Sequence, residues 1–163
     1  MRTREEQTAV IKADQQFWRD LAAEVGPDRY GESGTIGEWS FGDLAGHLLG
    51  WRNRTIARLE AAARGEPDPF PYEPDTDDEI DAYNAEIRDN DAGHPPTELV
   101  DGYATSYDRL IRALDALPES AFRDAAAFSW LEGTPLIEIT FTGHLHEEHA
   151  PDVRAWLDGA NQT

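Results

Sequence analysis

Residues 143–153 of the chain are Gly-His-Leu-His-Glu-Glu-His-Ala-Pro-Asp-Val, and they hold three of the five histidines. At the ~100° per residue of an α-helix, one stripe of this stretch is apolar. The stripe consists of Thr142, Leu145, His149, Val153 and Trp156. His149 is therefore predicted to lie on the buried face with His146 beside it, while His144 and Glu147 point away. A histidine on such a face either is satisfied by a hydrogen bond or serves as a ligand.

The stretch is predicted to belong to a long last helix that runs from Thr134 to about Leu157. Thr134 and Pro135 suit the N-cap and the first helical position. Pro151 lies well inside this helix, and a proline there kinks a helix and frees the carbonyl four residues earlier. The histidines are therefore expected immediately before a bend.

Apolar residues at three- and four-residue steps predict three earlier helices, over about residues 3–25, 40–65 and 95–118. Four prolines in residues 66–74 exclude a regular helix there, and a short acidic helix is predicted over 77–91. No strand shows convincing alternation. The sequence thus predicts an all-α, up-and-down four-helix bundle with a long connection between helices two and three, in one domain over residues 1–163.

The composition of the chain excludes several classes of partner but does not identify one function. The chain has 33 acidic and 14 basic residues, a formal net charge of −19, and no cysteine. A field of that sign repels nucleic acid and anionic membrane surfaces, and no apolar run is long enough to span a bilayer. We therefore expect a cytoplasmic protein whose partner is a small molecule. The apolar residues that the first helix would expose suggest a homodimer.

The second helix carries another histidine that leans inward. Ser40 and Asp43 form the N-cap and third position of a capping box, and His47 follows one turn later, beside the apolar stripe. Asp43 could instead orient His47. Trp51 and Arg54 lie further along the same side and are predicted to bind substrate.

Imidazoles on facing helices of a bundle can hold a metal ion or act in catalysis. His47 and His149 are the predicted catalytic pair, and His146 would complete a three-histidine site for Zn or Ni, with Asp152 and Glu148 as carboxylate alternatives. An open site of this kind lowers the pKa of a bound water or thiol. Two other interpretations stay open: general acid–base catalysis without a metal, and a purely structural polar cluster.

Several motifs in order resemble the DinB-like superfamily. Residues 37–51, GEWSFGDLAGHLLGW, resemble its helix-two signature, which leads from a tryptophan and an N-cap to a histidine. That superfamily includes the mycothiol-dependent maleylpyruvate isomerase domain. The motifs at 81–84 (DAYN), 95–100 (PPTELV) and 143–157 resemble the branch named for ClbS and DfsB. The similarity covers about residues 34–157.

The resemblance implies a four-helix bundle, often dimeric, in which one histidine of helix two and an H-x-x-x-H or E-x-x-x-H pair on the last helix hold a divalent metal. His47 matches the first ligand and His149 the last, but Leu145 stands at the middle position. The implied activity is transfer of a low-molecular-weight thiol to a small electrophile, or hydrolytic detoxification. The alternatives are a protein that sequesters a small molecule without catalysis and a structural bundle with a degenerate metal site.

Overall fold

A computed structural model describes residues 2–160, so residues 1 and 161–163 of the predicted domain lie outside the described part. Six α-helices and one small hairpin form the described chain. The helices are α1 (Arg4–Val25), α2 (Phe41–Ala63), α3 (Asp77–Asp91), α4 (Pro96–Asp115), α5 (Glu119–Arg123) and α6 (Ala150–Ala160). The strands are β1 (Ser33–Ile36) and β2 (Trp39–Ser40), and a π-helical segment covers His144–His149. This segment, called the π segment below, runs directly into α6.

Three of the helices begin with a complete capping box. In each, the N-cap hydroxyl accepts a backbone N–H at the third helical position, and the acidic side chain of that position accepts the N–H of the N-cap. The pairs are Thr3 with Glu6, Ser40 with Asp43, and Thr76 with Glu79. The predicted cap of the second helix is therefore confirmed. Asp43 accepts from both the N–H and the hydroxyl of Ser40, so its carboxylate serves the cap.

The core lies between α1, α2 and α4, and the predicted all-α bundle is confirmed. The main packing is of α2 against α4, with α1 against α4 and α3 against α2. Trp18 of α1 stacks on Phe41 at a ring distance of 4.8 Å and meets Tyr103 edge-on at 4.8 Å. All three rings are buried, so they join the first, second and fourth helices into one apolar interior.

The predicted start of the last helix at Thr134 is wrong. Residues 136–138 form one 3₁₀ turn, Ile139 is extended, and Phe141 has a φ of +61°, which an α-helix does not allow. The side-chain amide of Gln7, 2% exposed, donates to the carbonyls of Leu136 and Ile139 at 2.8 and 2.7 Å. This contact from α1 satisfies carbonyls that a helix would otherwise have used.

A two-stranded antiparallel hairpin precedes α2, although the sequence predicted no strand. Ser33 pairs with Ser40, and Ile36 pairs with Trp39. With strands of four and two residues, the hairpin is too short to show an alternating pattern. Its consequence for the site is local, because it holds the Trp39 ring 5.1 Å from the imidazole of His47.

The acidic helix α3 approaches α2 closely at Gly50. A Cβ on Gly50 would lie 2.6 Å from side-chain atoms of Ile87, a separation that real Cβ atoms do not tolerate. Glycine at this position therefore allows the two helices to touch, and it brings Asn84 of α3 within reach of α2. The Trp51 Nε1–H donates to Asn84 Oδ1 at 2.9 Å. Across residues 2–160, the helices are too short or too polar to cross a bilayer.

Candidate metal centre

His47 lies two turns into α2 and is 5% exposed. Its imidazole is surrounded by other rings: Trp39 at 5.1 Å, His144 at 4.8 Å and His149 at 5.2 Å between centroids. His47 thus meets the π segment across the bundle, as the sequence predicted for His47 and His149. The third imidazole of the cluster is that of His144, although α-helical periodicity predicts that His144 points away from the apolar stripe.

The π segment explains why His144 joins the cluster. In a regular α-helix, five residues turn by ~500°, which leaves His144 and His149 about 140° apart. Here the Ala150 N–H bonds to the Leu145 carbonyl, five residues back, which is the π-helical pattern. Residues five apart then lie about one turn from each other, on the same side. Pro151 follows at once, and its missing N–H leaves the Glu147 carbonyl without its usual α-helical donor.

The three imidazoles present nitrogens to one small volume. One nitrogen from each of His47, His144 and His149 lies within 4.8 Å of the other two. Nε2 of His47 and Nε2 of His144 are 2.9 Å apart, so one of them carries the proton that they share. Nε2 of His149 is buried and has no hydrogen-bond partner. Because a buried polar atom without a partner is costly, this nitrogen fits the role of a ligand.

Burial keeps these imidazoles neutral. It is the largest cause that lowers the pKa of His47, to about 4, and of His144, to about 3, from the ordinary 6.5. The neighbouring imidazoles act in the same direction on both. Burial also lowers the pKa of His149, against the carboxylates of Glu148 and Asp152. Neutral imidazole is the form that binds Zn and other transition metals, so the cluster fits a divalent ion near neutral pH.

His146, the predicted third ligand, is not brought to the other histidines. Its Nε2 lies 2.5 Å from Oδ1 of the buried Asp14, and its ring packs on Phe17 at 4.3 Å. The second oxygen of Asp14 accepts the hydroxyl of Tyr107 at 2.8 Å. His146 therefore belongs to a polar contact between α1, α4 and the π segment. Leu145, which stands at the middle ligand position of the family pattern, is 1% exposed in the core.

The two carboxylate alternatives lie at the edge of the cluster. The nearer is Glu148, with an oxygen 3.7 Å from Nε2 of His144 and a side chain that is 64% exposed. Asp152 is exposed on α6. Neither belongs to the group of nitrogens that face one centre. The geometry accordingly favours three histidines over a mixed set of ligands.

Trp51 and Arg54, the predicted substrate-binding pair, have different surroundings. Trp51 borders both of the cavities that flank the histidines. Arg54 turns toward the 66–74 loop, where it donates to the Tyr72 carbonyl, lies 3.5 Å from Glu73 and covers the Phe70 ring at 4.4 Å. It does not border either cavity. Arg52, which was not among the predicted site residues, borders the larger cavity instead.

Two cavities meet at Trp51 and His144. The smaller, about 390 Å³, is lined by all three histidines of the cluster together with Trp39, Asn84 and Glu148. The larger, about 450 Å³, shares Trp51 and His144 with the smaller one and is also lined by Arg52, Tyr103 and Phe141. A small ligand in either cavity would touch the same imidazole. Arg52 could have been found from the sequence, because Leu48, Arg52 and Ile56 share one buried stripe of α2.

Comparison with known families identifies the family of this chain. The model of the mycothiol maleylpyruvate isomerase N-terminal domain matches residues 12–149, which is most of the chain. The chain belongs to that family. The match confirms the DinB-like resemblance, and the nearer relation to the ClbS and DfsB branch stays a prediction. No curated protein and no solved structure matches significantly. The family suggests that a thiol and a metal take part, and the histidine cluster offers a place for the metal.

Proposed function

We propose that the chain is a metal-dependent enzyme that transfers an external low-molecular-weight thiol to a small electrophile. The observation that carries this proposal is the convergence of His47, His144 and His149 on one centre, beside two cavities that share His144. When bound, a divalent ion such as Zn or Ni supplies Lewis acidity, which lowers the pKa of a neighbouring thiol or water. The thiol comes from outside, because the chain has no cysteine.

The arrangement of the two cavities supports a reaction of two substrates. The smaller cavity touches every histidine of the cluster and is assigned to the thiol. The larger touches only His144 among them and is assigned to the electrophile. Trp51 borders both cavities, and its indole is fixed by the bond to Asn84. A fixed side chain that both ligands contact holds them in position beside His144, and positioning is a large part of what an enzyme contributes to such a reaction.

We assign to Glu148 the role of the base that takes the thiol proton. Its carboxylate borders the smaller cavity, 3.7 Å from Nε2 of His144, and it is exposed enough to pass a proton to solvent. We expect Glu148→Gln to lower the rate of thiol transfer by about 10²–10⁴-fold, the usual contribution of one general base. Zinc affinity should stay within a few fold of the wild type. Parallel measurement of thiol consumption and of zinc binding checks both halves of this prediction.

The metal proposal is tested by a matched pair of substitutions two residues apart. Calorimetric titration of zinc into metal-free protein should give one site in the wild type and in His146→Gln. In His144→Gln we expect the affinity to fall by more than about 100-fold, since loss of a ligand exceeds the 10–100-fold effect of losing an outer hydrogen-bond partner. Equal losses in both variants, or no zinc binding by the wild type, would remove the basis of the proposed function.

A spectroscopic test addresses the thiol separately. Cobalt replaces zinc in histidine sites, and a thiolate that binds cobalt produces an intense near-ultraviolet charge-transfer band. Adding a small thiol to the cobalt-loaded protein should produce this band in the wild type and not in His149→Gln. If adding a thiol leaves the cobalt spectrum of the wild type unchanged, hydrolysis of the electrophile by water is favoured over thiol transfer.

A further inference from the structure

The segment that carries two of the three clustered histidines has an uncommon backbone. The π segment ends with a bond from the Ala150 N–H to the Leu145 carbonyl, five residues back, which we call the π register. In a regular α-helix the same N–H would bond to the carbonyl of residue 146, four residues back, which we call the α register. Because π-helices are rare, a contact outside the segment has to favour the π register here.

Each register brings a different histidine to the metal centre. In an α-helix, His146 lies about 60° from His149 around the axis, whereas His144 lies about 140° away. In the π register, His144 lies about one turn from His149, and His146 points more than about 100° away from it. The rings follow the π register, since those of His144 and His149 lie 4.8 and 5.2 Å from the ring of His47. A shift of one residue thus determines the third imidazole of the cluster.

Asp14 holds His146 on the side of α1. Asp14 is 3% exposed, and it is the only carboxylate among the buried side chains of the described chain. Its Oδ2 accepts the hydroxyl of Tyr107 at 2.8 Å, so it is fixed between α1 and α4. Its Oδ1 lies 2.5 Å from Nε2 of His146, whose ring packs on Phe17 at 4.3 Å. His146 is therefore tied to α1 and kept from the other imidazoles.

The sequence weakens the alternative register at one point. Pro151 has no N–H, so an α-helix could not form the bond that normally joins residue 151 to the carbonyl of Glu147. The α register thereby loses part of its usual advantage, and the contact with Asp14 opposes what remains. A buried carboxylate that loses a partner is costly, and buried polar contacts are known to select one helix register over another.

We propose that Asp14 is a positioning residue that holds the π segment in the π register through His146. With this contact, His144 stands beside the other two histidines; without it, the segment adopts the α register and His146 takes that place. Asp14 is not among the residues that line either cavity, so it acts only through the π segment. This inference rests on the proposed function for its effect on the metal, whereas the register itself exists without a metal.

NMR of the isotope-labelled, metal-free protein reads the register directly. Scalar coupling across a hydrogen bond shows which carbonyl carbon each amide nitrogen is bonded to. In the wild type, the Ala150 amide should couple to the Leu145 carbonyl. In Asp14→Ala and in His146→Leu, this coupling should move to the carbonyl of residue 146. In His146→Gln, the matched control, the side-chain amide can still donate to Asp14, and the Leu145 coupling should persist.

Zinc titration is the second measurement, because it shows which histidine binds the ion. In the Asp14→Ala background, adding His146→Gln should lower the zinc affinity by more than about 100-fold, and adding His144→Gln should change it by only a few fold. This is the reverse of the order expected without Asp14→Ala. A loss of stability alone would not reverse it. If His144→Gln remains the costly change in this background, the inference is wrong.

The couplings decide the inference even where zinc binding does not. If Asp14→Ala fails to fold, His146→Leu replaces it, since that side chain is 40% exposed and tolerates a change more easily. A coupling from Ala150 to Leu145 that persists in every folded variant lacking the contact, or that is absent from the wild type, would overturn the inference. A wild type that binds no zinc but shows the expected change of coupling would remove the proposed function and leave the role of Asp14 in the register established.

Discussion

The stability of the metal-free protein should fall on mild acidification because of its neutral histidines. Burial lowers the pKa of His47 to about 4 and that of His144 to about 3. In the unfolded chain both imidazoles return to a pKa of about 6.5. Between these values the unfolded state binds more protons than the folded state. The free energy of unfolding therefore decreases as the pH falls from about 6.5 toward 4.

The size of the effect can be calculated for His47 alone. This side chain is nearly enclosed, so screening by solvent is small. Between its unfolded and folded pKa values, such a histidine lowers the free energy of unfolding by about 1.4 kcal/mol for each unit by which the pH falls. Between pH 8 and pH 5 the loss from His47 comes to about 2 kcal/mol. His144 acts in the same direction, although its side chain is 31% exposed and its charge interacts with that of His47. A loss of this size is a large part of the stability of a typical domain.

Urea unfolding, followed by circular dichroism at several pH values between 8 and 5 in the presence of a chelator, measures this effect. Protonation of the many carboxylates reduces the net charge of −19 over part of the same range, so the informative quantity is the difference between variants. His47→Asn should show a shallower pH dependence than the wild type, whatever its absolute stability. His94→Gln removes an exposed histidine and should keep the wild-type slope. Equal slopes in wild type and His47→Asn would refute the reasoning.

Two other predictions concern packing near the site. Gly50→Ala should lower the free energy of unfolding by about 1–2 kcal/mol, because its Cβ would collide with Ile87, whereas Gly159→Ala meets nothing within 4 Å and should be neutral or stabilising. Asp14→Ala should cost about 2 kcal/mol, because the buried hydroxyl of Tyr107 loses its carboxylate partner. Chemical denaturation measures both, and for Asp14→Ala a change under about 0.5 kcal/mol would contradict the structure.

Local rules predicted much of the bundle. The caps at Ser40 and Asp43, the glycine and proline after Val25, and the apolar periodicity each act within a few residues, so they could be recognised in one sequence. The same rules placed Leu145 and Val153 correctly in the core. His47 was also identified, since it flanks the stripe of a helix whose start is clearly marked.

The errors arose where contacts between distant segments decide the local structure. The last helix does not begin at Thr134 as predicted, because Gln7 of α1 bonds the carbonyls of Leu136 and Ile139. The π segment changes the angle between residues by a small amount at each step, and over five residues it exchanges His146 for His144 at the centre. Pro151 and the five-residue spacing of His144 and His149 are the features of the sequence that point to a π-helical segment. Apolar periodicity alone does not show whether the segment is α-helical, with His146 near the centre, or π-helical, with His144 there.

The central claim is that one ion is held by histidines of α2 and the π segment, and a zinc-loaded crystal measured on both sides of the zinc absorption edge tests it most directly. We expect a single strong anomalous peak bounded by nitrogens of His47, His144 and His149, each about 2.0–2.1 Å away. A peak beside His146 and Asp14, or zinc scattered only over surface carboxylates, would contradict it.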